Sequence, residues 1–141
     1  MSEPIIVKSG STFRNEVTAG RHTIVMDEPV SGGGGDEGPN PYDLLAAALG
    51  GCTSMTLHFY AKRESIPLEG AEVTLMHGRE YAKDCAECTT KNGSIHRFRV
   101  TIKLLGDLSA EQKKKLLGVA RRCPVYQTLS SEIRIEETLV E

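Results

Sequence analysis

Hydrophobic residues recur along this chain at two spacings, and the spacings divide it into elements. Within residues 40–66, NPYDLLAAALGGCTSMTLHFYAKRESI, the residues Leu45, Ala48, Leu49, Cys52, Met55, Thr56 and Phe59 follow at intervals of three and four. That pattern predicts one apolar face of a long helix. Pro41 suits the first turn, where its missing N–H leaves no partner unsatisfied. Asp43 near the start and Lys62 and Arg63 near the end complement the helix dipole. Pro67 biases Ile66 away from helical dihedrals, so the helix should stop near Ser65. Gly50 and Gly51 stand just before Cys52, and each costs about 0.5–1 kcal/mol relative to Ala inside a helix. Such a loss predicts that something packs closely against the helix there.

Elsewhere the period shortens to two. Residues 5–7, 12–17 and 22–27 are short runs separated by Ser-Gly and Ala-Gly, and they read as antiparallel strands. The Thr18-Ala19-Gly20 turn delivers Arg21 to the head of the third run. Residues 71–80 and 95–105 read as two further strands. In the second of these Phe98, Val100, Ile102 and Leu104 alternate with Arg97, Arg99, Thr101 and Lys103, as in a sheet with one wet face. The polar stretch between them holds Cys85-Ala86-Glu87-Cys88 and the turn signal Asn92-Gly93. Ser109-Ala110-Glu111-Gln112 is a capping box that opens a helix to about Arg122. Leu116, Leu117 and Ala120 face inward on it, and Cys123 continues that face before Pro124 ends the helix or opens another short turn. Ile133, Ile135 and Leu139 predict a last strand. Segregated strands and helices in this order predict an α+β fold, a single domain over residues 1–141.

Composition narrows the function. The chain has 141 residues and a net charge of −2, enough length to bury a core without disulfides. Basic and acidic residues are interspersed and Trp is absent, so no nucleic-acid partner is expected. No apolar run is read as approaching ~18 residues, so no membrane span is expected. The start, MSEPIIVKSG, lacks a signal-peptide pattern. A cytoplasmic location follows as the expectation, with the four cysteines as thiols or ligands in preference to structural bridges. Residues 31–38, with Gly32 to Gly35 in a row, read as a flexible connection. They lack the phosphate-cradling pattern, and no cofactor is expected.

Chemistry centres on sulfur. Cys52 and Cys123 lie on the inner faces of two helices that share one core, so the two thiols can meet. Arg21, Arg121 and Arg122 are cations able to lower a thiol pKa, although Arg121 and Arg122 also suit a helix C-terminus. Cys85-x-x-Cys88 admits three readings. It is half of a zinc site, which needs four ligands; it is a redox pair without the usual βαβ context; or it is two ordinary loop thiols. His77 and His96 flank it, but the loop would have to fold back to bring them to the sulfurs.

Several segments together resemble the OsmC/Ohr family. They are Thr18-Ala19-Gly20-Arg21-His22, Asp27-Glu28-Pro29, Gly38-Pro39-Asn40-Pro41, Ala46-Ala47-Ala48-Leu49-Gly50-Gly51-Cys52-Thr53 and Cys123-Pro124-Val125-Tyr126-Gln127-Thr128-Leu129. The resemblance runs from about Thr18 to Ile135. It implies antiparallel sheets packed around a long central helix in an intertwined homodimer. It also implies a thiol-dependent reductase of organic hydroperoxides, with Cys52 as peroxidatic thiol, Cys123 as resolving thiol and Arg21 paired to the thiolate. A lipoyl-type dithiol is the implied candidate reductant. Family peroxidases carry a Glu directly after the Asn-Pro that opens the helix; here Tyr42 stands there, and Asp43 is turned about 100° around the helix. That departure keeps a second expectation open, an OsmC-like protein binding a small apolar ligand at a dimer-interface pocket.

Overall fold

The computed structural model describes residues 3–141. Its contacts fall into two compact units, one ending at Leu45 and one formed by Ala46–Glu141. The long helix α1 (Pro41–Arg63) begins in the first and continues in the second.

In the first unit β1 (Ile5–Ser9), β2 (Asn15–Ala19) and β3 (His22–Met26) form an antiparallel sheet in sequence order. Ile5 lies opposite Ala19, and Asn15 opposite Met26. The β2–β3 turn needs Gly20, whose φ is +59°, a region that other residues enter at a cost. The glycine run that follows is built, contrary to the flexible connection expected from its composition. A 3-10 turn at Val30–Gly32 opens it, and the N–H groups of Gly34 and Asp36 donate to the carbonyls of Pro29 and Glu28. A Cβ on Gly34 would collide with the Glu28 carbonyl. The run is therefore glycine-rich because the backbone passes over itself. Asp27, buried beneath it, accepts from the N–H groups of Glu28, Gly35 and Glu37 at 2.8, 3.2 and 3.2 Å.

The head of α1 is capped reciprocally. Asp43 N–H donates to Asn40 Oδ1 at 2.8 Å, and Asn40 N–H to Asp43 Oδ2 at 3.1 Å. Two of the helix's orphan donors are thereby satisfied, with Pro41 in the first turn as its φ demands. The other end stops at Arg63. Ser65 takes a φ of +54°, and Ile66 N–H reaches back to the Ala61 carbonyl at 2.8 Å.

In the second unit β4 (Gly70–Tyr81) and β5 (Ser94–Leu105) form a long hairpin, in register from Gly70 opposite Leu105 to Tyr81 opposite Ser94. α2 (Ala110–Val119) follows, opened by the Ser109–Gln112 capping box. A 3-10 turn (Ala120–Arg122) leads into α3 (Pro124–Leu129). The core of this unit gathers Leu57 and Ala61 of α1, Ile66, Leu116 and Val119 of α2, and Ala120, with Ile102 and Leu104 of the sheet packed against them.

Three expectations need correction. The buried side of α1 is the stripe Leu49, Thr53, Leu57 and Ala61 with Gly50, which shares only Leu49 with the side read from the sequence. Met55 and Phe59 on that other side are 74 % and 73 % exposed. The helix is apolar nearly all round, so periodicity alone could not choose a face. For the same reason its length and hydropathy, 1.2 over an 18-residue window, reach those of a membrane span, although no such run was expected. The last strand is absent among the described residues. Residues 131–141 carry no regular structure, and Ile133, Ile135 and Leu139 are exposed. The alternation is present there, but no strand among the described residues pairs with it.

Candidate active site

Cys52 sits in the middle of α1 and Cys123 at the junction between the 3-10 turn and α3. Their surroundings differ. Cys52 is half-buried, and Cys123 is 0 % exposed. Cys123 is the N-cap of α3, where its Sγ accepts the Tyr126 N–H at 3.4 Å. Pro124 at the first position of α3 makes this cap possible, because the residue before a proline is held extended. Pro124 thus opens a helix in addition to ending the previous one.

The two thiols are neighbours. Burial first, and then hydrogen bonding with the Cys52 side chain, push the Cys123 thiol above its ordinary range; the Tyr126 N–H pulls the other way. Loss of water disfavours a thiolate, and a second thiol beside it offers no positive charge. Cys123 is accordingly held as a neutral thiol. Cys52, partly open to solvent on α1, has the exposure that a reacting sulfur needs.

Gly50, one turn from Thr53, is where β4 comes close. A Cβ there would lie 2.6 Å from Leu75 Cδ2, while one on Gly51 would meet nothing within 4 Å. The close neighbour expected at the two glycines is therefore the chain's own hairpin at Gly50, and Gly51 is open. Beside the thiols is a pocket of about 330 Å³. Phe98, Val100, Ile102 and Leu117 give it apolar walls, and Thr53, Arg121 and Tyr126 complete it. Neither sulfur lines it, but Thr53 follows Cys52 and Tyr126 binds the Cys123 sulfur.

Arg121 therefore does more than end a helix. It sits in the 3-10 turn, its carbonyl accepts from Gln127 Nε2 at 2.7 Å, and the residue lines the pocket. Sequence pattern concealed this, because an arginine at a helix end looks the same whether it lies against solvent or a cavity. Asp27 organises the loop in a way its place in the Asp27-Glu28-Pro29 segment does not announce, by accepting from the N–H groups of Glu28, Gly35 and Glu37. Arg21 lies in the first unit, exposed in the β2–β3 turn, and forms no ion pair among the described residues. Tyr42 is half exposed at the head of α1.

Cys85 and Cys88 are joined to each other in a disulfide at the hairpin tip. This corrects the expectation of free thiols at this pair, and while bonded the two sulfurs offer no thiolates to a metal. No group of three or more His, Cys, Asp or Glu side chains is arranged for a metal ion among the described residues. His77 and His96 instead meet each other, with Nε2 and Nδ1 3.0 Å apart and the rings stacked.

The family model described as OsmC-like protein matches residues 33–138, across the boundary between the two units. No curated protein matches the sequence. Among solved structures, an OsmC like protein from Mycoplasma pneumoniae is 17 % identical with a TM-score of 0.73, over 92 % of this chain and 88 % of that one. An organic hydroperoxide resistance protein OsmC from Legionella pneumophila is 23 % identical with a TM-score of 0.64, over 90 % and 89 %. The organic hydroperoxide resistance protein OhrB of Bacillus subtilis is 18 % identical with a TM-score of 0.63, over 91 % and 90 %. At these identities the likeness is one of fold, an α+β arrangement with antiparallel sheets. The family match covers well over half of the sequence, and with a long cysteine-bearing helix and a second cysteine capping a distal one, the chain belongs to the OsmC-like family.

Proposed function

We propose that the protein is a cysteine-based peroxidase that reduces organic hydroperoxides through a Cys52–Cys123 dithiol/disulfide cycle. One observation carries the reading: a half-buried thiol and a wholly buried thiol are direct neighbours on two different helices. In the first step the Cys52 thiolate attacks the outer peroxide oxygen. The O–O bond breaks, the alcohol leaves with a proton, and Cys52 becomes a sulfenic acid. In the second step Cys123 condenses with it, forming the disulfide and releasing water. A dithiol reductant, for which a lipoyl-type molecule is the candidate, returns both sulfurs to thiols by exchange. The protonated state of Cys123 supports its place in the second step, because it does not compete for peroxide in the first. The family resemblance assigns Arg21 to the Cys52 thiolate.

The active form in this reading is a homodimer. Its support is the apolar side of α1 that the single chain leaves open, with Met55 and Phe59 largely exposed. Burying a side chain of that size is worth about 1.5–3 kcal/mol, which favours a partner over water. Gly51, with open space beside it, leaves room for a close approach.

The second reading, a member that binds a small apolar ligand without reducing peroxide, is favoured by one observation. The pocket walls are apolar, and neither sulfur lines the pocket. Thiol loss on separate addition of cumene hydroperoxide and hydrogen peroxide separates the two. Faster loss with cumene hydroperoxide supports the peroxidase, and no loss with either supports the binding protein.

A further inference from the structure

The Cys85–Cys88 disulfide closes a loop that is already closed without it. The β4–β5 ladder runs up to Tyr81 opposite Ser94. Beyond it Ala82 N–H donates to the Gly93 carbonyl at 2.9 Å, Cys85 N–H to Ala82 at 3.1 Å and Cys88 N–H to Cys85 at 3.3 Å. The two cysteines are three residues apart. A cross-link removes less entropy from the unfolded chain the shorter the loop it closes, so this one adds little as a staple. Its setting is open: both cysteines are half-buried, and Asp84, Ala86, Glu87, Thr89 and Thr90 around them are exposed. A disulfide that stabilises little and that a thiolate can reach suits exchange better than scaffolding.

We propose that Cys85–Cys88 is a second two-electron centre, independent of Cys52 and Cys123, which accepts electrons from small-molecule dithiols. A thiolate of the dithiol attacks one sulfur of the pair, the Cys85–Cys88 bond breaks, and a mixed disulfide forms. The dithiol's other sulfur, after losing its proton, displaces the remaining cysteine and leaves as a cyclic disulfide. Two electrons and two protons then reside on Cys85 and Cys88 as thiols.

The test uses the full chain carrying Cys52→Ser and Cys123→Ser, so that only the tip pair titrates. The folded protein is treated with dihydrolipoamide, quenched with an alkylating agent and peptide-mapped. Cys85 and Cys88 are expected to be labelled together, with lipoamide released in equal amount, at a rate within about tenfold of the urea-unfolded chain. Slower labelling than that, or labelling only after unfolding, overturns the proposal. A second variant, Cys85→Ser with Cys88→Ser, keeps it falsifiable if the first does not fold. Its Tm is expected to stay within about 3 °C of the parent, and a larger loss would make the bond a staple. The same variant is expected to retain peroxide-driven formation of the Cys52–Cys123 disulfide. Failure of the peroxidase reading, read at that disulfide, is therefore separate from failure here.

Discussion

Asp27 and Cys123 are both buried and ionisable, and their environments drive them in opposite directions. The Glu37 N–H, joined by those of Glu28 and Gly35 against the opposing effect of burial, holds the Asp27 carboxyl below its usual range. A carboxylate depressed in the folded state stabilises the fold above the unfolded pKa, about 3.9. That stability is lost as pH falls through the lower folded value. Asp27→Asn is expected to lower Tm at neutral pH and to flatten the acid limb of Tm against pH, measured by circular dichroism from neutrality to pH 2. An acid limb identical to wild type would show that the three N–H groups do not hold the charge. For Cys123 the sign reverses. A thiol whose folded pKa is raised contributes stability below the unfolded thiol pKa and loses it as pH rises through the folded value. Wild type should therefore destabilise faster than Cys123→Ser at alkaline pH. At the active thiol, Cys52→Ser is expected to leave Cys123 largely unreacted with peroxide. Cys123→Ser should stop at a sulfenic acid on Cys52, visible by mass spectrometry with a sulfenic-acid trap.

At the scale of elements, the helices and long strands were largely legible and the faces were not. The Ser109–Gln112 capping box, the Pro67 stop and the alternation of β5 each leave a local signature, because each depends on neighbours in sequence. The buried stripe of α1 depends on where β4 and α2 come to lie, and an all-round apolar helix carries no record of that. The same limit applies to the tail, where Ile133 and Ile135 alternate properly but no strand edge among the described residues receives them. Gly50 shows the reverse case: a local oddity correctly announced a close neighbour, but not that the neighbour is Leu75. Gly50→Ala is expected to cost about 1–3 kcal/mol of stability by overpacking, because Leu75 must move aside. Gly51→Ala, with open space at its Cβ, should be neutral or stabilising in the monomer unit. Equal losses at both positions in denaturant titrations would contradict the packing described. Ser65, in the left-handed region after α1, should tolerate Ser65→Gly with a gain of up to about 1 kcal/mol.

For the whole molecule, the family was legible because its motifs are short and local, and the joining of two thiols from distant segments rests on that resemblance together with the inward-face argument. Cys52 and Cys123 do meet, although Cys52 lies off the buried stripe of α1. Cys85 and Cys88 admit three readings from sequence because a C-x-x-C spacing does not state its own oxidation state. The exposed side of α1 places the next prediction at the level of assembly. Light scattering at micromolar concentration is expected to give twice the 15.4 kDa chain mass, and Met55→Asp with Phe59→Asp to shift it toward the monomer. A wild-type monomer would remove the dimer from the account.

Whether Cys52 and Cys123 form one redox pair is read by disulfide mapping after a single equivalent of cumene hydroperoxide. A Cys52–Cys123 disulfide is expected in wild type and none in Cys52→Ser, which should consume the peroxide far more slowly. A protein that forms no such disulfide, or a Cys52→Ser variant that consumes peroxide as fast as wild type, would contradict it.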